Sequence, residues 1–198
     1  IDWPGIEIHY TEGTEPITSQ RRPTVTASRG TFYIAWEDDT SGDLDISGAR
    51  LRNGRTLDDP PYAVIAAPGD QTEPAIGANR WRVLTAWTDD RSGGGSDIRA
   101  ELNGSEIVVT AAAGAQSDPA VTTRGDGFLL AWVDTRSGGA DIYAGRVNGA
   151  GVVRDGSGVA IAASGAAETE PALAAGRNNR QLLAYTEGAS QIVLTLID

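Results

Sequence analysis

Four charged residues stand directly before a proline at corresponding points of the chain. They are Arg22, Glu73, Asp118 and Glu170. Three carboxylates that meet at one place could hold a cation or a basic side chain. The alternative is a solvated rim that Arg22 partly neutralises, and the small free energy of exposed ion pairs favours it. Paired carboxylates can also catalyse glycoside hydrolysis, one as acid and one as nucleophile or base. That chemistry needs a carboxyl with a raised pKa, and the sequence places none in an apolar pocket.

An aspartate-rich phrase occurs three times, as AWEDDTSGDLD (35–45), AWTDDRSGGGSD (86–97) and AWVDTRSGGAD (131–141). In each copy one aspartate precedes a Ser-Gly pair and another follows it. A carboxylate beside such a turn can accept hydrogen bonds from the N–H groups within it. A Ca²⁺ site is the alternative, but Arg91 or Arg136 beside two aspartates makes a poor cage for this ion, which takes roughly six to eight oxygens. We therefore expect the aspartates to form turns without a bound metal.

One tryptophan and several arginines form a second candidate site. Trp81, in the segment ANRWRV, matches turn residues of the other repeats and not their buried aromatics. With the arginines of the equivalent loops, the set is Trp81, Arg80, Arg82, Arg124, Arg177 and Arg180. Tryptophan with arginine is a common combination at binding hot spots, so we expect a partner-binding surface for a protein or a glycan. The alternative is a tryptophan that folds on to the neighbouring sheet.

The elements that position these residues follow from an internal repeat. Pro23, Pro74, Pro119 and Pro171 are each followed, after 13, 13, 13 and 14 residues, by Trp36, Trp87, Trp132 and Tyr185. The prolines are 51, 45 and 52 residues apart, a period found in propeller blades. Each unit contains short apolar runs of strand length bounded by Gly, Asn, Asp or Pro, and no run has helix length.

The last unit lacks its fourth apolar run, and residues 6–11 at the other end of the chain resemble that run. We therefore predict one all-β domain over residues 1–198, a four-bladed β-propeller with four antiparallel strands in each blade. The predicted blades are 23–67, 74–111, 119–163 and 171–198 plus 6–11, so that the N-terminal strand closes the ring. Arg22, Glu73, Asp118 and Glu170 would then form an axial rim around the mouth of the central channel.

The phrase AWxDxRSGxxDIY resembles the repeat of TolB-type β-propellers in three of the four units. The fourth unit departs from it, with Glu187 and Gln191 in place of the two aspartates. The blade count is similar to that of hemopexin-type propellers in architecture alone. The resemblance implies protein recognition, in a bacterial envelope or as a module of a larger enzyme, and implies no particular reaction. We accordingly expect a secreted or cell-envelope protein, possible also as a domain of a larger one.

The composition excludes several classes of function. With 27 acidic and 16 basic residues the net charge is −11, which argues against nucleic-acid binding. No apolar run approaches the roughly 20 residues of a membrane span, so we expect no membrane insertion. His9 is the only histidine, and the sequence contains no phosphate-binding loop or dinucleotide fingerprint. We expect no cofactor, although a cation could occupy the axial channel.

From the sequence alone we predict a non-catalytic recognition module that binds a protein through one charged face. The chain is not expected to be an enzyme. A lectin-like propeller that binds carbohydrate is the first alternative. A small carbohydrate-active enzyme that uses carboxylates of the acidic face is the second.

Overall fold

The computed structural model describes residues 19–198, in which sixteen strands form four antiparallel sheets and no α-helix occurs. The first sheet contains β1 (Gln20–Ser28), β2 (Thr31–Asp38), β3 (Asp45–Arg52), β4 (Arg55–Thr56) and β5 (Tyr62–Ile65). The second contains β6 (Gln71–Ala78), β7 (Val83–Asp89), β8 (Asp97–Leu102) and β9 (Ser105–Thr110). The prediction of an all-β chain built from antiparallel sheets is confirmed.

The other two sheets repeat the same meander. The third contains β10 (Gln116–Arg124), β11 (Gly127–Asp134), β12 (Asp141–Val147) and β13 (Val159–Ala162). The fourth contains β14 (Glu168–Ala175), β15 (Gln181–Glu187) and β16 (Gln191–Ile197), with a 3₁₀ turn at Arg177–Asn179. Residues 6–11, predicted to complete the last blade, lie outside the described residues.

The prolines of the repeat lie inside the first strand of each sheet. Each of these strands begins three residues before its proline, and the pairing with the second strand shifts register at that point. A β-bulge tolerates proline because one residue of the bulged strand is left out of the hydrogen-bonded ladder. The bulge therefore explains how a proline sits within an otherwise regular strand.

Successive sheets pack face to face in chain order. Ala35 and Ile46 of the first sheet meet Trp87 of the second, and Leu84 of the second meets Trp132 of the third. The third and fourth sheets share a further cluster that includes Leu129 and Leu183. The repeated aromatics Trp36, Trp87, Trp132 and Tyr185 are all buried. Alternating side chains of β11 thus face two different neighbours, which explains why this strand is apolar on both sides.

The connections between sheets place the first strands of the second, third and fourth sheets in the same way. The N–H of Gln71 donates to Leu44 O at 2.6 Å, that of Gln116 to Ser96 O at 2.8 Å, and that of Glu168 to Ala140 O at 2.7 Å. Each of these strands is therefore tied, at its start, to the hairpin of the preceding sheet. This repeated tie brings the residues before the prolines to one end of the molecule.

Candidate active site

The four residues before the prolines share an unusual backbone conformation. Arg22, Glu73, Asp118 and Glu170 have φ values of 51°, 55°, 52° and 56°. Positive φ is uncommon for residues other than glycine and costs free energy, so it persists where the surrounding structure enforces it. The bulge of each first strand is the enforcing element here. Because the conformation recurs in all four sheets, the side chains project in equivalent ways.

Hydrogen bonds from one sheet to the next connect these residues in series. The Glu73 N–H donates to Glu37 Oε1 at 2.7 Å, and the Asp118 N–H donates to Glu73 Oε2 at 2.7 Å. The Glu170 N–H in turn donates to the carboxylate of Asp118. Each carboxylate therefore anchors the backbone of the equivalent residue in the following sheet. The structure thus brings Glu73, Asp118 and Glu170 together, as the axial rim requires.

Arg22 joins this series through its side chain. Its Nη1 lies 2.8 Å from Glu73 Oε1, and its Nε lies 3.7 Å from Glu37 Oε1. Sequence reasoning missed Glu37, which is 1% exposed and supplies the carboxylate that the first sheet lacks at position 22. The signal was available: Glu37 occupies the strand position that holds Thr88, Val133 and Thr186 in the other repeats, where a charged residue is unexpected.

The residue opposite each rim position differs between sheets. Thr88 Oγ1 donates to Glu73 Oε2 at 2.8 Å, and Thr186 Oγ1 donates to Glu170 Oε2 at 2.8 Å. The third sheet has Val133 at this position, where it pairs with Ser117, the residue before Asp118. The side chain of valine has no hydrogen-bond donor. The carboxyl group of Asp118 therefore lacks the hydroxyl partner that the other two rim carboxylates have.

The two central carboxyls consequently have pKa values displaced in opposite directions. Burial alone would raise the pKa of Glu73, but hydrogen bonds from Arg22, the Asp118 N–H and Thr88 lower it below its usual value. The pKa of Asp118 is raised, first by burial and then by the negative charges of Glu73 and Glu170. The pKa values of these neighbouring carboxyls are thus displaced apart, and a pair of this kind can divide the roles of acid and base.

The aspartate-rich hairpins form turns around their own carboxylates. Asp38, Asp89 and Asp134 accept hydrogen bonds from backbone N–H groups two residues onward, at 3.0, 3.2 and 3.0 Å. Each also accepts one from the Nε1–H of the tryptophan two residues earlier, a contact that sequence reasoning missed. Ser41 and Ser137 donate to Asp45 and Asp141, the aspartates after the turn. Within residues 19–198, no group of three or more His, Asp or Glu side chains could hold a metal ion.

The predicted partner-binding residues lie at the connections between the first and second strands of three sheets. Trp81, Arg80 and Arg82 line a cleft between the first and second sheets. Arg124 ends β10 in the third sheet, and its Nη1 donates to the side chain of Gln181 in the fourth. Arg177 is in the 3₁₀ turn, and Arg180 Nε is 2.9 Å from an Asp198 carboxylate oxygen. These connections contact one another, since Asn79 Nδ2 donates to Asp126 O at 2.9 Å and Arg124 Nη1 donates to Asn179 O at 3.5 Å. That they form one partner-binding surface stays a prediction.

No family model and no curated protein matches the chain. Solved structures do resemble it. The α-L-arabinanase of Penicillium chrysogenum matches with a TM-score of 0.62 and 10% identity, over 93% of this chain and 59% of that one. An exo-1,5-α-L-arabinanase from a bovine ruminal metagenomic library matches with a TM-score of 0.54 and 15% identity, over 99% of this chain and 82% of that one.

A third similar structure is a family 117 glycoside hydrolase of Zobellia galactanivorans, with a TM-score of 0.55 and 11% identity, over 98% of this chain and 74% of that one. These neighbours are five-bladed propellers of glycoside hydrolase families 43 and 117, and not TolB-type repeats. At such low identity the likeness concerns the fold, and it shows that the four antiparallel sheets are arranged as in a β-propeller. In the described part of the chain, no helix is long and apolar enough to cross a membrane.

The neighbours overturn one sequence-based prediction. A non-catalytic module that recognises a protein was expected, and the prediction that the chain is not an enzyme is wrong. The finding favours the second alternative, a carbohydrate-active enzyme. The physical reason for the error is that the rim carboxylates looked solvated in the sequence, whereas Asp118 is half-buried beside two other carboxylates.

Proposed function

We propose that the chain is a glycoside hydrolase and that the axial rim is its active site. The observation that carries the proposal is the pair Glu73 and Asp118, neighbouring carboxyls whose pKa values are displaced in opposite directions. Glycoside hydrolysis uses two such groups, one protonated and one ionised. The fold of the structural neighbours supports the assignment, since they are glycoside hydrolases.

In this proposal Asp118 is the general acid. It donates its proton to the glycosidic oxygen while the bond between that oxygen and the anomeric carbon breaks. Glu73, held ionised by Arg22, stabilises the positive charge that develops on the sugar ring and acts as base toward water or as nucleophile. Glu170 is a positioning residue: its negative charge helps to keep the proton on Asp118.

The direct test is hydrolysis by the purified protein. Arabinan is the first substrate to try because several structural neighbours are arabinanases, and other neutral and acidic polysaccharides complete the panel. We expect release of reducing ends, with Asp118→Asn and Glu73→Gln each lowering kcat by about a hundredfold or more. Asp126→Asn is the matched control, since Asp126 is an exposed aspartate in the turn at the opposite end of β10.

The pH profile separates the two roles. The raised pKa of Asp118 sets the alkaline limb, where activity falls as the acid loses its proton. The lowered pKa of Glu73 sets the acidic limb, where activity falls as the base gains one. Thr88→Val removes a hydrogen bond to Glu73 and should move the acidic limb to higher pH while the alkaline limb stays. The proposal fails if no polysaccharide is cleaved, or if both carboxylate variants keep full activity.

The scaffold we propose for this site is a four-bladed propeller, in which residues 6–11 form the fourth strand of the fourth sheet. It is supported by the strand count, because the first three sheets each have at least four strands and the fourth has three among residues 19–198. Deleting residues 1–12 should then leave β16 with an unpaired edge and cause aggregation or a large loss of stability. Thermal unfolding of the truncated and full chains measures this, and equal melting temperatures would contradict the pairing of residues 6–11 with β16.

A further inference from the structure

A second concave site lies between the first and second sheets, away from the axial rim. The cleft has a volume of about 840 Å³, within the usual size of a ligand pocket. Its lining includes Ser28 at the end of β1 and the turns that follow β1 and β6, whereas the rim residues lie near the starts of the same strands. Six residues of strand separate Arg22 from Ser28, which is roughly 20 Å at about 3.3 Å per residue. The cleft is therefore distinct from the carboxylate site.

Trp81 stands at this cleft with 63% of its surface exposed. The turn that carries it is fixed by Asn79, whose Oδ1 accepts hydrogen bonds from the N–H groups of Trp81 at 2.8 Å and Arg82 at 2.9 Å. Ser28 Oγ donates to Asn79 O at 2.7 Å and so ties the first sheet to this turn. An exposed indole on a braced turn is a preorganised platform, because little conformational entropy is lost when a ligand packs on it.

Two arginines from different sheets lie over the indole ring. The guanidinium carbon of Arg80 is 4.7 Å from the ring centroid, and that of Arg29 is 5.4 Å from it. No carboxylate within residues 19–198 forms an ion pair with either arginine. In contrast Arg50, at the same cleft, is paired with Asp58 at 2.6 Å. A guanidinium over an aromatic face keeps its N–H groups free to bind an anion from the edge.

The remaining walls carry three carboxylates, two of which are paired with arginines. Tyr33 and Tyr62 add aromatic surface, and Arg50 neutralises Asp58. Glu106 is paired with Arg91 at 3.1 Å and with Arg99 at 3.0 Å, and burial raises the pKa of the Glu101 carboxyl group. Aromatic rings with free guanidinium groups suit a sugar that carries an anionic substituent, since apolar sugar faces pack on rings and the substituent binds arginine.

We propose that this cleft binds an anionic oligosaccharide, with a sugar ring against Trp81 and its carboxylate or sulfate group between Arg29 and Arg80. The glycan class rests on the proposed function, and it extends that function by giving the enzyme a second glycan-binding site on an acidic or sulfated polysaccharide. An acidic peptide would carry the same negative charge as the anionic sugar. It lacks the flat apolar face of a sugar ring, and it fits a small concave site less well.

The experiment is calorimetric titration of the Asp118→Asn protein, which the proposed function makes inactive, so that binding is measured without hydrolysis. The probes are trigalacturonate, a sulfated carrageenan trisaccharide, neutral arabinotriose and a hexa-aspartate peptide. We expect one or both anionic sugars to bind, more weakly as NaCl rises. Trp81→Ala and the double variant Arg29→Gln with Arg80→Gln should each weaken binding by about tenfold. The double variant Arg55→Gln with Arg154→Gln removes the same charge from exposed arginines outside the cleft and should leave binding unchanged.

The outcomes are distinguishable. Binding of trigalacturonate or of the sulfated sugar alone identifies the anionic group. The proposal is overturned if neither anionic sugar binds, if arabinotriose binds equally well, or if hexa-aspartate binds as tightly and is lost with the same variants. Hydrolysis by the wild-type chain without binding at the cleft would refute this site alone. Binding at the cleft without hydrolysis of any substrate would refute the axial active site instead.

Discussion

Among residues 19–198, the second and third sheets have a neighbouring sheet on both faces, whereas the first and fourth have one on a single face. In the two middle sheets Trp87 and Trp132 are fully buried, with a neighbouring sheet on each side. In the fourth sheet Ile192 and Leu194 are exposed on the face that points away from the third sheet. All four sheets carry apolar residues in the same pattern. The repeated sequence therefore determines which side chains lie on each face of a sheet. Whether a neighbouring sheet covers that face determines how much each side chain stabilises the fold.

The hairpins between the second and third strands are also more buried in the middle sheets than in the fourth sheet. In the second and third sheets a buried aspartate joins a tryptophan Nε1–H, an arginine side chain and the turn backbone. In the fourth sheet Tyr185 and Glu187 occupy the corresponding positions, and the turn between β15 and β16 is shorter. The middle hairpins are thus polar networks enclosed in the protein, and the last one is an ordinary solvated turn.

The largest expected effect comes from the aromatic core. Trp132→Ala should lower the free energy of unfolding by about 3–5 kcal/mol, because it leaves a cavity between the second and third sheets. Leu194→Ala, on the exposed face of the fourth sheet, should change it by less than about 1 kcal/mol. Denaturant unfolding of the two variants measures the difference. Equal losses would mean that the outer face of the fourth sheet is covered as fully as the core.

The next effect concerns the hairpins. Asp134→Ala leaves the Trp132 Nε1–H without its acceptor and removes the carboxylate partner of Arg136, which keeps its hydrogen bond to Ser157 O. The change should cost about 1–3 kcal/mol of unfolding free energy. Glu187→Ala at the corresponding place in the fourth sheet should cost no more than about 0.5 kcal/mol. Thermal unfolding in the presence and absence of EDTA completes the test. A large loss of stability on chelation would show that these aspartates bind metal and do not merely shape the turn.

Much of this architecture was predictable because each repeat contains its own strand and turn patterns within a short stretch of sequence. The run FLLAWVD coincides with the end of β11, and the segment DIYAGRV is β12 as it stands. The parts that were missed depend on residues far apart in the sequence. Glu37 and Glu73 meet across 36 positions, and Arg29 reaches Trp81 from another sheet. No spacing rule within one repeat could reveal those contacts. The sequence therefore could not predict the raised pKa of Asp118 or the cleft at Trp81.

The smallest expected effect is a gain in stability. Gln71 and Gln116 are buried at equivalent positions, and each donates its Nε2–H to carbonyl groups of the preceding loop, as in the bond to Gly69 O at 2.6 Å. The fourth sheet has Glu168 there, 0% exposed, and its Oε2 has no hydrogen-bond partner. Glu168→Gln restores the donor and should stabilise the protein by about 1 kcal/mol.

The converse substitution, Gln116→Glu, should destabilise the third sheet by a similar amount, and thermal unfolding compares the two. If Glu168→Gln also destabilises the protein, the loop before the fourth sheet does not present carbonyl groups as the other loops do.

The series of carboxylate-to-backbone contacts at the rim has a consequence for how repeats are added to such a protein in evolution. Each repeat brings an acceptor for the unit that follows and a donor for the unit that precedes it. A duplicated repeat inserted between two others would inherit both halves of the contact without further mutation. Gain or loss of a blade by gene duplication would therefore leave the rim joined at every step, and only the chemistry of the newly placed side chain would remain for selection to adjust.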